Sequence, residues 1–71
     1  MSYYSDRRKA YTDINNQLRN SRGRPVPVLQ LIDLVNNRYG FGKKIVLDKL
    51  KLYEKMGKIT FETEDLVLWV G

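Results

Sequence analysis

The sequence predicts an α+β fold in which three helices are followed by a C-terminal β-hairpin, within a single domain spanning residues 1–71. Apolar residues recur at helical spacing in three separate stretches. From residue 58 onward, apolar and polar residues alternate as they do along a β-strand. A chain of 71 residues lies near the lower limit for folding on one hydrophobic core. We therefore expect one domain whose stability is supplemented by a partner or by self-association.

The first predicted helix runs from Ser5 to Asn20. Its buried stripe is predicted to contain Ala10, Tyr11, Ile14 and Leu18. Ser5 is the expected N-cap, and Gly23 is the expected stop. The segment RGRPVP follows, and its two prolines exclude a helix interior and favour a short extended piece.

The second predicted helix runs from Pro27 to Arg38. Its buried stripe is predicted to contain Val28, Leu31, Ile32 and Val35, widened by Leu29 and Leu34. Pro27 suits the first helical turn because its missing N–H costs no hydrogen bond there. Gly40 and Gly42 follow, and both permit the positive φ that a helix end and turn require.

The third predicted helix runs from Lys43 to Met56 and ends at Gly57. Its buried face is predicted to contain Val46, Leu50 and Tyr53, flanked by Ile45, Leu52 and Met56. The opposite face carries a polar row, here called the lysine stripe, made of Lys44, Asp48, Lys51 and Lys55. Lys49 falls within the apolar arc, and we expect its ammonium to reach solvent past Leu52 and Met56.

The C-terminal segment predicts a β-hairpin. In KITFE, Ile59 and Phe61 alternate with polar residues, TED makes the turn, and LVLWV returns. The return strand is apolar on both faces, with Leu66, Leu68 and Val70 on one and Val67 and Trp69 on the other. We therefore expect its second face to be covered by the first helix or by another subunit.

Charge is unevenly distributed along the chain, whose net charge is +5. Residues 1–24 contain six basic and two acidic side chains, and residues 40–58 again contain six and two. Residues 59–71 contain three acidic side chains and no basic one. An excess of positive charge separated in this way indicates an anionic partner, of which nucleic acid is the commonest.

The composition argues against several classes of protein. The absence of cysteine and histidine excludes disulfides, the usual zinc sites and a Ser/His or Cys/His nucleophile pair. Asp13, Asp33 and Asp48 lie on separate predicted elements, and no glycine-rich phosphate loop is present. We therefore expect no enzyme, no cofactor and no metal. The sequence has no apolar run of about 18 residues, so we expect no membrane span. It has no signal-peptide core, so we expect a cytoplasmic location.

The order of elements resembles the winged-helix (winged helix-turn-helix) family, and the resemblance covers almost the whole chain. It is strongest in KLKLYEKMGKITFETEDLVLWV, where a third helix passes through Met-Gly-Lys-Ile into the first strand of the hairpin, or wing. RPVP stands where the family places a small third strand. In size and composition the chain is also similar to small basic winged-helix proteins of archaea and their viruses and plasmids.

In winged-helix proteins the third helix usually enters the DNA major groove. The resemblance therefore implies a DNA-binding protein, a small transcriptional regulator or chromatin-associated factor on double-stranded DNA. We expect a homodimer, because the chain is near the lower size limit and its return strand is apolar on both faces. It places Lys43, Lys44, Asp48, Lys51 and Lys55 on or near the duplex, with candidate backbone contacts from Arg38, Arg22 and Arg24. The lysine stripe contains no Arg, Asn or Gln, so we do not expect this helix alone to discriminate strongly between sequences.

Two alternatives remain open at the level of sequence. The wing tip ETED departs from DNA-contacting wings, which typically carry Arg or Lys, and its carboxylates would be repelled by phosphates. Either the wing points away from the duplex, or the domain is a winged-helix protein–protein interaction module, an accessory subunit of a replication, transcription or division complex with a partner at the acidic wing. The lysine stripe can also be an ordinary solvated face, and Tyr3, Tyr4 and Tyr11 can pack internally or form a dimer seam.

Overall fold

The fold is described by a computed structural model, which covers residues 3–71 and the side chains from residue 5 onward. In chain order, the elements are α1 (Tyr3–Asn20), β1 (Val26–Pro27), α2 (Val28–Tyr39), α3 (Lys43–Lys55), β2 (Ile59–Thr63) and β3 (Leu66–Trp69). The three strands form one antiparallel sheet in the order β1-β3-β2. The predicted α+β class, with three helices and a C-terminal hairpin, is confirmed.

One core draws on all six elements. Its buried residues are Ala10, Ile14, Leu18, Val26, Val28, Leu31, Val35, Val46, Leu50, Tyr53, Ile59, Val67 and Trp69. Each helix contributes residues spaced by three or four positions, because that spacing returns side chains to one helix face. The central buried residues predicted for each of the three helices are therefore confirmed.

Some predicted core positions are wrong at the edges of these faces. Leu29 is 64 % exposed and Leu34 is only half-buried, whereas the half-buried Tyr11 and Ile32 still pack against the core. Leu52 and Met56, at 45 % and 55 % exposed, flank the core of α3 without entering it. The helical wheel assigns an angle to each residue, but the width of the covered arc depends on how closely the neighbouring elements pack.

Two of the three predicted helix starts also need correction. The helix α1 begins at Tyr3, so Ser5 lies inside the helix and is not its N-cap. The helix α2 begins at Val28, because Pro27 adopts the extended conformation (φ −63°, ψ 131°) and pairs with Leu66 as part of β1. The end of α2 is as expected: Gly40 has φ 75°, and its N–H donates to the Asn36 carbonyl at 2.8 Å.

The hairpin turns over two residues, Glu64 and Asp65, between the paired residues Thr63 and Leu66. The Asp65 N–H donates to the Thr63 hydroxyl oxygen at 3.1 Å and so stabilises the turn. Glu62 is an extra residue in the ladder, because the register shifts between Phe61 and Thr63.

The two faces of β3 differ in burial. Val67 and Trp69 are buried in the core with residues of α1, whereas Leu66 and Leu68 are half-buried and Val70 is exposed. Because α1 packs on the inner face, it does not cover the outer one. The outer face therefore stays partly exposed, and its cover by a second subunit stays a prediction.

Candidate nucleic-acid interface

The lysine stripe lies on the solvent side of α3. Burial of Leu50 and its neighbours in the core fixes the rotation of this helix. As a result Lys44, Asp48, Lys51 and Lys55 are all exposed. The structure therefore brings together, on one rigid element, four of the five α3 residues expected near DNA, and Lys43 is exposed beside them.

The lysines of the stripe are not neutralised internally. A salt bridge joins Arg38 and Asp13, and among the residues whose side chains are described none is found for Lys44, Lys51 or Lys55. Three unpaired ammonium groups and one carboxylate leave this face with an excess of positive charge. Such a face attracts polyanions over a distance of about one Debye length, or roughly 10 Å at moderate salt.

The first turn of α3 adds to this positive field. Its N-cap is Gly42, which is extended (φ −82°, ψ 177°) and makes no side-chain capping hydrogen bond. Lys43 and Lys44 occupy the first turn, and no acidic residue does. Cations are unfavourable at this end of a helix, where the backbone N–H groups already carry partial positive charge. The two lysines and the free N–H groups together favour a phosphate group bound at this end of the helix.

Arg38 has a partner that the sequence did not indicate. Its guanidinium donates to the Asp13 carboxylate at 3.2 Å, and the Tyr39 hydroxyl donates to the same oxygen at 2.6 Å. The hydrogen bond to Asp13, followed by burial, raises the pKa of the Tyr39 hydroxyl above its ordinary value. The Arg38 side chain is 59 % exposed, so it can still reach a ligand, but Asp13 offsets part of its charge.

Arg22 and Arg24 lie away from the start of α3. Both are exposed in the turn between α1 and β1. Pro27 pairs with Leu66 beside the hairpin turn, and Val26 pairs with Val67. The residues that precede β1 therefore lie towards Trp69, at the end of the sheet opposite the hairpin turn. The structure therefore does not place these arginines beside Lys43, which lines a cavity together with the hairpin turn.

The acidic hairpin turn is held against the start of α2. The Asp65 carbonyl accepts the N–H of Val28 at 2.8 Å, which satisfies one of the free N–H groups at that helix end. Glu64 and Asp65 also line an open cavity of about 650 Å³ together with Lys43. Carboxylates are stabilised beside a helix N-terminus and a lysine. The acidic residues of the hairpin turn thus lie beside Lys43 and the N-terminus of α2.

The predicted path of Lys49 is wrong. Its ammonium lies 4.4 Å from the centre of the Tyr11 ring and 5.1 Å from the centre of the Tyr53 ring, on the α1 side of α3. A lysine ammonium is attracted to the negative face of an aromatic ring, and α1 brings Tyr11 into reach. Two further cations lie over the same rings, Arg7 over Tyr11 at 5.4 Å and Lys58 over Tyr53 at 5.7 Å.

We call these five residues the cation–aromatic cluster: Arg7, Tyr11, Lys49, Tyr53 and Lys58. Arg7 also donates a hydrogen bond to the Tyr11 hydroxyl, and burial raises the pKa of the Tyr53 hydroxyl. The helical period of α3 identified Lys49 as an anomaly in an apolar arc. It could not identify Tyr11, because that residue is on a different helix.

Neither a metal site nor a membrane span is found in the part of the chain that the structure describes. Over residues 3–71, no three His, Cys, Asp or Glu side chains form a group that could hold a metal ion. None of the helices in that range is both long and apolar enough to span a membrane. No known protein family, curated protein or solved structure matches the chain. We therefore infer function from the charges and contacts of its own residues.

Proposed function

We propose that the chain is a winged-helix protein that binds double-stranded DNA, with α3 in the major groove. The order of elements and the sheet order β1-β3-β2 are compatible with that fold. One observation carries the proposal: Lys44, Lys51 and Lys55 are exposed along one face of α3 and, over the described side chains, none forms a salt bridge.

The length of the stripe suits the groove. Lys44 and Lys55 are separated by about 16 Å along the helix axis, whereas the major groove is about 12 Å wide. The lysines of the stripe can thus reach phosphates on both sides of the groove. A lysine contributes a point charge more than a fixed pair of hydrogen bonds, so binding is expected to depend weakly on sequence.

We propose a regulatory or chromatin-associated role, without catalysis or cofactor, for a homodimer. Exposed apolar side chains support self-association. Val70 is exposed beside the half-buried Leu66 and Leu68 on the outer face of the sheet, and Leu29 and Met56 are exposed elsewhere. A second copy that covered one of these surfaces would remove apolar area from water.

A second candidate is a winged-helix protein-interaction module. It is supported by the open cavity between α2, α3 and the hairpin turn, which Leu29, Ile32, Leu47 and Leu66 line beside Glu64 and Asp65. An apolar groove with acidic groups at its edge suits a partner that presents apolar and basic side chains. In this alternative, the lysine stripe is a solvated face.

Binding of a short random-sequence duplex at increasing salt, followed by fluorescence anisotropy, separates these candidates. If Lys43, Lys44, Lys51 and Lys55 each neutralise one phosphate, the logarithm of the binding constant falls with the logarithm of salt concentration with a slope of about −3 to −4. Absence of binding at low salt, or a slope near zero, would remove DNA binding and leave the protein-interaction module.

A further inference from the structure

A second basic surface lies beside the cation–aromatic cluster. An open cavity of about 340 Å³ is lined by Arg8, Tyr11, Thr12, Asn15, Lys49 and Tyr53. None of these residues is acidic. Two cations line it, Arg8 from α1 and Lys49 from α3, and a third, Lys58 from the segment leading into β2, lies over the ring of Tyr53. No local sequence pattern combines them, so only the folded chain forms this surface.

This surface is distinct from the lysine stripe. Lys49 follows Lys44 by five positions, which turns its side chain about 140° around the axis of α3. The side chain lies towards Tyr11 of α1, whereas the stripe faces solvent. We therefore expect a duplex seated on the stripe to leave Lys49 free for a second ligand.

The positive charge of the cluster is not cancelled within it. Tyrosine rings attract cations through their negative faces, but a ring carries no net charge. Arg7 also lines a different cavity together with Asp48, so we assign ligand contacts to Arg8, Lys49 and Lys58 instead. Over the described side chains, none of these three forms a salt bridge. Like charges gathered in this way repel one another until an anion binds among them.

The arrangement favours phosphate over bases. A surface that binds single strands presents free aromatic faces on which bases stack. Here the Tyr11 ring already lies against Arg7 and Lys49, and the Tyr53 ring lies against Lys49 and Lys58. What remains for a ligand is a set of N–H donors from ammonium, guanidinium and the Asn15 amide. Such donors match the oxygens of a phosphodiester backbone.

We propose that Arg8, Lys49 and Lys58 bind the backbone of a second DNA duplex, so that one chain holds two duplex segments together. This inference rests on the proposed function, because it takes the lysine stripe as the first DNA surface. It adds a bridging activity that a single-surface DNA-binding domain does not have.

The test uses two short duplexes, one with a donor and one with an acceptor fluorophore, and measures energy transfer when the full-length protein is added. Three variants are compared with the wild type: Arg8→Gln, Arg8→Gln with Lys49→Gln, and Arg19→Gln. Arg8 and Arg19 are both exposed arginines on α1, about 16 Å apart along its axis and on nearly the same face. Arg19→Gln is therefore the matched control.

We expect the wild type and Arg19→Gln to bridge the duplexes equally. In the double variant, bridging should fall roughly tenfold or more, since two phosphate contacts are removed, while single-duplex affinity through the stripe stays within about twofold. Arg8→Gln alone leaves every cation–ring contact in place and should show an intermediate loss. A loss of bridging in Arg8→Gln would therefore exclude unfolding as the cause of the weaker bridging.

Two outcomes would overturn the inference. One is a wild type that binds single duplexes but gives no energy transfer between them. The other is bridging that persists in the double variant, which would assign it to a dimer with one stripe per subunit. A wild type that fails to bind a single duplex would instead contradict the proposed function itself.

Discussion

The ammonium of Lys49 on α3 lies 4.4 Å from the centre of the Tyr11 ring on α1. This contact joins two helices that are far apart in sequence, at a position where the apolar arc of α3 would otherwise have an apolar residue. A charged side chain thus contributes to helix packing, because its hydrocarbon stem lies along the protein while its ammonium meets an aromatic face.

This contact predicts a difference between two substitutions of Tyr11. Tyr11→Leu removes the ring and should lower the free energy of unfolding by about 0.5–2 kcal/mol, since each exposed cation–ring contact contributes about 0.5–1 kcal/mol. Tyr11→Phe keeps the ring and should lose less. Urea unfolding of the two variants measures the difference, and equal losses would show that the ring contact contributes nothing.

The buried face of α3 is tested by two leucines. Leu50 is fully buried and Leu52 is 45 % exposed. Leu50→Ala should cost about 2–5 kcal/mol, because it removes buried atoms and leaves a cavity. This is a large share of the stability of a small domain. Leu52→Ala serves as the control and should change the melting temperature little. Comparable losses for both variants would contradict the assigned face.

The Tyr39–Asp13 hydrogen bond predicts a loss of stability at alkaline pH. The pKa of Tyr39 in the folded chain is raised above its ordinary value of 10.0. The contribution of this hydrogen bond to the free energy of unfolding is therefore fully present below pH 10.0. The contribution is lost as pH rises through the folded-state pKa. Tyr39→Phe should remove this part of the pH dependence, which thermal melts across the alkaline range would record.

A second variant checks the cause of that pKa shift. Asp13→Asn removes the carboxylate, so the pKa of Tyr39 should fall towards 10.0 in an ultraviolet titration. The pKa of Tyr53 is raised by burial alone, so its titration should not move. A Tyr39 titration that is unchanged in Asp13→Asn would show that the carboxylate does not control it.

The proposed homodimer predicts a mass of about 17 kDa, twice the 8.4 kDa of the chain. The expectation follows from the outer face of the sheet, where Leu66, Leu68 and Val70 remain partly or fully exposed. Light scattering at micromolar concentration measures the mass directly. A mass of a single chain, unchanged when duplex DNA is added, would contradict the dimer.

Periodicity allowed much of the fold to be predicted from the sequence. The residues Leu18, Val35 and Leu50 are buried as their spacing indicated, because a helix has only one face to offer the core. Proline chemistry likewise indicated the extended piece that pairs as β1. These predictions succeeded because each depends on residues close together in the chain.

The partners of side chains could not be predicted in the same way. Asp13 and Arg38 are 25 positions apart, and the Asp65 carbonyl meets the N–H of Val28 only because β1 and β3 pair. The lysine stripe followed from the period of one helix. The cation–aromatic cluster did not, since it requires three elements to pack before its members meet.

The most direct test of the central claim compares the salt dependence of duplex binding in two double variants. Lys44→Ala with Lys51→Ala removes two charges from the stripe, and Lys9→Ala with Arg19→Ala removes two charges from α1. If α3 lies in the major groove, the stripe variant should lose about two units of the log–log salt slope, at about 0.9 per phosphate, and should weaken all sequences to a similar degree. The α1 variant should keep the wild-type slope. A stripe variant with an unchanged slope would contradict the account and place the DNA elsewhere on the molecule.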